Sequence, residues 1–112
     1  MRRWLLGVVL AMIPVTASAH EWQPSVRFSG TGTQTTAPFI SQAPSFRMVM
    51  EPGPGPFGGA QLCVMVHRME RKYVSSACTT DLGTSYVYVG PGTYYLEVIT
   101  GNPWAITVED EV

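Results

Sequence analysis

The stretch "GTYYLEVITGNPWAITVED", residues 92–110, decides the fold because it contains two runs of strict alternation. Every second residue of each run is apolar: Tyr94, Leu96 and Val98 in the first run, Trp104, Ile106 and Val108 in the second. One buried face and one solvated face are typical of strands in an antiparallel sheet. The intervening "TGNP" predicts a turn, in which Gly101 and Asn102 can take positive φ.

The rest of the chain also predicts short strands, because nine prolines and 11 glycines interrupt it and no helical periodicity persists. Pro38 suits an edge strand or a bulge. The segment 50–61, "MEPGPGPFGGAQ", predicts a connection between sheets or a binding loop tipped by Phe57. We therefore predict an all-β fold, a small antiparallel jelly-roll-like β-sandwich of about eight strands. The predicted strands are residues 25–29, 34–41, 46–51, 61–69, 73–79, 86–89, 93–100 and 104–109.

The N-terminal residues 1–19 are typical of a secretory signal peptide. Arg2 and Arg3 precede an apolar run, residues 4–15, and "ASA" at 17–19 matches a cleavage site. As a helix this run would span about 18 Å, too short for a hydrocarbon core of about 30 Å. We predict cleavage before His20, a domain at 20–112 without a membrane span, and a periplasmic or extracellular bacterial protein.

The net charge of the chain limits which classes of binding partner are expected. Without residues 1–19 the chain keeps five Lys and Arg against eight acids, a net charge of −3. Nucleic-acid binding needs clustered cations that displace counterions, so the charge argues against nucleic acid and we predict no nucleic-acid partner. A glycan or a protein remains a possible partner, and no cofactor is predicted.

The two cysteines, Cys63 and Cys78, predict a disulfide. Export would place both thiols in an oxidising compartment. If the hairpin turns around residues 69–72, the strand register sets Cys63 directly opposite Cys78. A bulge within the hairpin would shift that register by one residue.

Three local motifs carry a resemblance to known proteins. They are Gly30-Thr31-Gly32 leading into "TTAPF" at 35–39, Phe46-Arg47-Met48, and "GTYYLEV" at 92–98 followed by an aromatic-led final strand. With these motifs the chain resembles a group of small secreted bacterial β-sandwich proteins. The resemblance implies a fold and no particular activity. The cysteine pair is not a general feature of that group.

Two histidines raise the hypothesis of a copper site. After cleavage, His20 would offer its α-amine and imidazole to one ion, and His67 could supply a second imidazole. Soft sulfur could come from four methionines: Met48, Met50, Met65 and Met69. The alternative is that His20 only marks the end of the signal and that the methionines fill the core.

Aromatic side chains raise the hypothesis of a glycan- or peptide-binding surface. The available rings belong to Trp22, Tyr73, Tyr86, Tyr88, Tyr95 and Trp104. Of these, the candidate binding residues are Tyr86, Tyr88, Tyr95 and Trp104. Because Tyr94 and Tyr95 must point to opposite faces, a buried Tyr94 would leave Tyr95 exposed, beside Tyr86 or Tyr88. The alternative is ordinary cross-strand pairing of rings.

Catalytic motifs are missing from the sequence. It contains no G-x-S-x-G elbow, no H-E-x-x-H and no calcium-binding loop pattern. The acidic run at 109–111 suggests a solvated, frayed tail. We therefore predict that the protein is not an enzyme and has a binding or structural role.

Overall fold

The computed structural model describes residues 21–54, 61–70 and 72–112. These residues form nine strands, with no helix long and apolar enough to cross a membrane. The predicted signal peptide, His20 and Phe57 lie outside the described residues. The strands are β1 (Trp22–Thr31), β2 (Gln34–Thr35), β3 (Phe39–Ser41), β4 (Phe46–Pro52), β5 (Leu62–Arg68), β6 (Lys72–Thr79), β7 (Gly83–Val87), β8 (Gly92–Ile99) and β9 (Pro103–Glu111).

The strands form two antiparallel sheets packed face to face. The four-stranded sheet has the order β1-β9-β4-β7. The five-stranded sheet has the order β2-β8-β5-β6, and β3 also pairs with β8. Counted as one interrupted strand, β2 and β3 give eight strands in the order of a double-sheet jelly roll. The predicted β-sandwich is confirmed, and the interruption accounts for the ninth strand.

The interruption between β2 and β3 lies beside β8, where Pro38 was expected to mark an edge or bulge. Thr35 faces Glu97 and Phe39 faces Tyr94, so the register shifts by one residue between the two short strands. The Thr36 amide donates to the Leu96 carbonyl at 2.9 Å. The Thr36 hydroxyl in turn accepts from the Leu96 amide at 3.0 Å, which keeps the backbone bonded across the break.

The core lies between the two sheets. The apolar faces predicted for β8 and β9 are both buried in it. At one end of the sandwich the Phe46 ring meets the Tyr94 ring edge to face, with centroids 5.0 Å apart, and Phe39 packs against both. The buried core residues are Phe39, Phe46, Met48, Met50, Leu62, Val64, Val66, Val87, Tyr94, Leu96, Val98, Trp104, Ile106 and Val108.

The connection from β8 to β9 differs from the sequence expectation. The two strands lie in different sheets, so residues 100–102 carry the chain across the sandwich instead of closing a hairpin. Gly101 does not take positive φ; among the described glycines, Gly32 (φ 80°) and Gly90 (φ 98°) do. Alternation identified both buried faces correctly, but it does not show which strands are neighbours.

The β5–β6 hairpin confirms the disulfide. Cys63 and Cys78 are directly paired and bonded, with Cα atoms 4.0 Å apart. The register shift that a bulge would cause occurs between Val66 and His67, on the turn side of the cysteines. The cysteines therefore keep the predicted register, and their bond lies on the outer face of the five-stranded sheet.

Candidate functional site

Exposed aromatic rings gather on the outer face of the four-stranded sheet, where β1 begins and β7 ends. Alternation in β7 buries Val87 and turns Tyr86 and Tyr88 outward, with 45% and 74% of each residue exposed. Their rings stack with centroids 6.3 Å apart. An exposed pair of aromatic rings of this kind is a candidate contact site.

Trp22 joins these rings because β1 contains a bulge. Val26 pairs with Val108 and faces the core, whereas Pro24 pairs with Glu109 on the opposite face. Unbroken alternation would put Trp22 on the core face with Val26. The extra residue, Ser25, reverses that assignment and turns the indole outward over the sheet.

The three rings enclose a shallow hollow. Trp22 meets Tyr86 edge to face, with ring centroids 5.6 Å apart. Trp22, Tyr86, Tyr88 and Glu111 line a space of about 230 Å³. Typical small-molecule pockets hold about 300–1,000 Å³, so this hollow suits one compact group.

A charged pair supports the Trp22 ring from below. The Arg47 Nε donates to Glu109 Oε1 at 2.5 Å, and the Arg47 Cζ lies 4.9 Å from the centre of the Trp22 ring. The hydrogen bond to Glu109 raises the pKa of Arg47, and a smaller contribution comes from Tyr86. The Arg47 guanidinium is charged, as in any arginine, and it holds Trp22 by a cation–π contact.

The acidic run at the end of β9 is not a frayed tail. Asp110 accepts a hydrogen bond from the Ser41 hydroxyl at 2.9 Å, and Glu111 accepts one from the Ser45 hydroxyl. Both serines are buried, so these bonds satisfy groups that burial would otherwise penalise. The Glu111 carboxylate is thereby fixed at the wall of the hollow.

The four aromatic residues proposed from the sequence do not form one surface. Tyr86 and Tyr88 lie together, but Tyr95 is on the outer face of the other sheet. Trp104 is only 4% exposed, and its indole N–H donates to the Gly32 carbonyl at 2.9 Å. Trp104 is therefore a core residue, and the expectation that it is an exposed ligand-binding ring is wrong. Trp22, which was not among the four, takes its place.

His67 lies on the outer face of the five-stranded sheet, among other side chains. Its ring stacks on Tyr95 at 4.9 Å and meets Tyr73 at 6.1 Å, and its Nε2 is 3.2 Å from Glu97 Oε1. Glu21, the first described residue, is instead bonded to Val112 beside the four-stranded sheet. His20 is outside the described residues, so the copper pair stays a prediction. No three His, Cys, Asp or Glu side chains among the described residues gather as a metal-binding set.

The four methionines offered as copper ligands occupy different environments. Met48 and Met50 are buried in the core, as the alternative interpretation expected. Met65 lies half-buried on the outer face of β5, and Met69 is exposed in the turn that follows.

No protein-family model matches the chain, and no curated protein is significantly similar to it. The resemblance to secreted bacterial β-sandwich proteins therefore stays a prediction.

Proposed function

We propose that the protein is an exported, non-enzymatic binding module whose ligand site is the hollow formed by Trp22, Tyr86 and Tyr88. The observation that carries the proposal is the Trp22–Tyr86 ring contact on the outer face of the four-stranded sheet. Trp104 and Tyr94, by contrast, are buried in the core.

The arrangement suits a ligand that offers a compact apolar surface with polar edges. Trp22 is fixed by Arg47, and Glu111 is fixed by Ser45, so little conformational entropy is lost on binding. The C–H face of a sugar ring or a side chain of a peptide would lie against the rings. The charged groups nearby would contact the polar edge of the same ligand.

Export is supported by the disulfide and by the sequence of residues 1–19. Disulfides persist in oxidising compartments, and the Cys63–Cys78 bond is already formed in the fold. Expression of the full-length sequence in a bacterial host tests this directly. We expect the protein in the exported fraction with a mature mass that begins at His20. A cytoplasmic, uncleaved chain would contradict it.

The binding site is tested by thermal-shift measurements against soluble glycans, short peptides and small organic cations. A ligand that binds the native state raises the apparent stability by mass action. We expect at least one class to raise the melting temperature of the wild-type protein and of Tyr73→Ala, whose ring is 60% exposed on the other sheet. Tyr88→Ala should lose the effect. An equal response in Tyr88→Ala would place the site elsewhere.

A further inference from the structure

The lining of the hollow has the composition of a site for an organic cation. Three of its four residues, Trp22, Tyr86 and Tyr88, present aromatic rings. The faces of such rings are negative, and rings arranged around a space attract quaternary ammonium groups. A neutral ligand would gain only contact area from the same rings.

The charges around the hollow also favour a cation. The fourth lining residue is Glu111, whose carboxylate accepts a hydrogen bond from Ser45. Arg47 is paired with Glu109. The Glu111 carboxylate at the wall of the hollow attracts a cation and repels an anion.

One cation–π contact is already present at the wall of the hollow. The Arg47 Cζ lies 4.9 Å from the centre of the Trp22 ring, within the distance of about 6 Å at which such contacts act. Arg47 is outside the four residues that line the hollow, so its guanidinium stands beside the space. Trp22 is thus held in place by a cation of the protein itself.

We infer that the hollow binds a trimethylammonium group carried by a small soluble molecule, an inference that rests on the proposed function. The volume of about 230 Å³ fits a compact head group better than a run of sugar residues. The three rings contact the methyl groups, and the Glu111 carboxylate lies beside the positive charge.

The test is a calorimetric titration of the full-length protein with choline chloride at constant ionic strength. The matched ligand is 3,3-dimethylbutan-1-ol, which replaces the charged nitrogen of choline by carbon at the same size. We expect choline to bind with a dissociation constant on the order of 1 mM and the neutral alcohol at least about fivefold more weakly.

Variants separate the roles of ring and charge. Tyr88→Ala should weaken choline binding about five- to thirtyfold. Glu111→Gln, which keeps an acceptor for Ser45, should weaken it about two- to fivefold and leave the alcohol unaffected. Tyr73→Ala is the control and should bind choline like the wild-type protein.

The outcomes distinguish this inference from the proposed function. If choline and the alcohol bind equally well, the inference of a cationic ligand is wrong, but the proposed binding function is not. The same holds if only glycans bind and Tyr88→Ala abolishes their binding. If the protein binds phosphatidylcholine vesicles but not free choline, the inference that the ligand is a small soluble molecule is wrong. If no ligand from any of these classes binds, both the inference and the proposed function are wrong.

Discussion

The Trp22 and Tyr86 rings meet edge to face at 5.6 Å although their strands, β1 and β7, are the opposite edges of a four-stranded sheet. The two side chains reach this contact across β9 and β4, above the Arg47–Glu109 pair. An edge-to-face pair of this kind contributes about 0.5–1.5 kcal/mol beyond the area it buries. The fold gains little from a ring pair at its surface, which is why we assign the pair to binding.

Trp22 and Trp104 should differ sharply in what they contribute to stability. Trp104→Ala removes a buried ring and leaves a cavity, so we expect the free energy of unfolding to fall by about 3–5 kcal/mol. Trp22→Ala removes a surface ring and should cost about 1 kcal/mol or less. Chemical denaturation of the full-length variants measures both values. Equal losses would contradict the placement of the two rings.

The disulfide should supply a large share of the stability of so small a domain. Cys63 and Cys78 are 15 residues apart in sequence, and closing a loop of that size is worth about 3 kcal/mol in the chain-entropy model. We expect the free energy of unfolding of Cys63→Ala/Cys78→Ala, measured by chemical denaturation, to be lower by about that amount. As a control, a reducing agent should destabilise the wild-type protein and leave the double variant unchanged. A double variant as stable as the oxidised protein would contradict this account.

Tyr94 should make stability fall at alkaline pH. Burial raises the pKa of its phenol, whose hydroxyl donates to the Gly90 carbonyl. The folded state therefore holds this proton more tightly than the unfolded state, in which the pKa is about 10. The contribution of protonated Tyr94 to the free energy of unfolding is fully present below about pH 10. It is lost as the pH rises through the higher pKa of the folded state.

Melting temperatures measured between about pH 8 and about pH 11 test whether stability falls at alkaline pH as Tyr94 ionises. The wild-type protein should lose stability steeply above about pH 10, and Tyr94→Phe should lose it less steeply. Tyr73→Phe, which changes an exposed phenol, should follow the wild-type curve. Parallel curves for all three proteins would refute the role of Tyr94.

Much of the fold follows from the sequence because burial imposes a period of two on a strand. Tyr94, Leu96 and Val98 alternate without interruption, and the structure buries all three. The cysteine register was also predictable, because the bulge in that hairpin falls after Val66. The placement of β8 and β9 in different sheets was not predictable, since a turn that closes a hairpin and a turn that crosses between sheets use similar residues.

The site was predicted only in part for the same physical reason. Tyr86 and Tyr88 follow from alternation around the buried Val87. Trp22 does not, because the extra residue Ser25 inverts the face of β1, and bulges leave little trace in a single sequence. Pro24, which suits the irregular part of an edge strand, is the one signal that could have suggested it.

The central claim is that the hollow at Trp22 is the ligand site, and the indole N–H resonances test it most directly. Trp22 lines the hollow, whereas the Trp104 N–H is buried and bonded to Gly32, so one reports binding and the other is an internal control. During a choline titration of the ¹⁵N-labelled protein, with Trp22 assigned through Trp22→Phe, we predict a saturable shift of the Trp22 signal and a fixed Trp104 signal. A Trp22 signal that stays in place while choline or any ligand found by thermal shift saturates the protein would contradict the account.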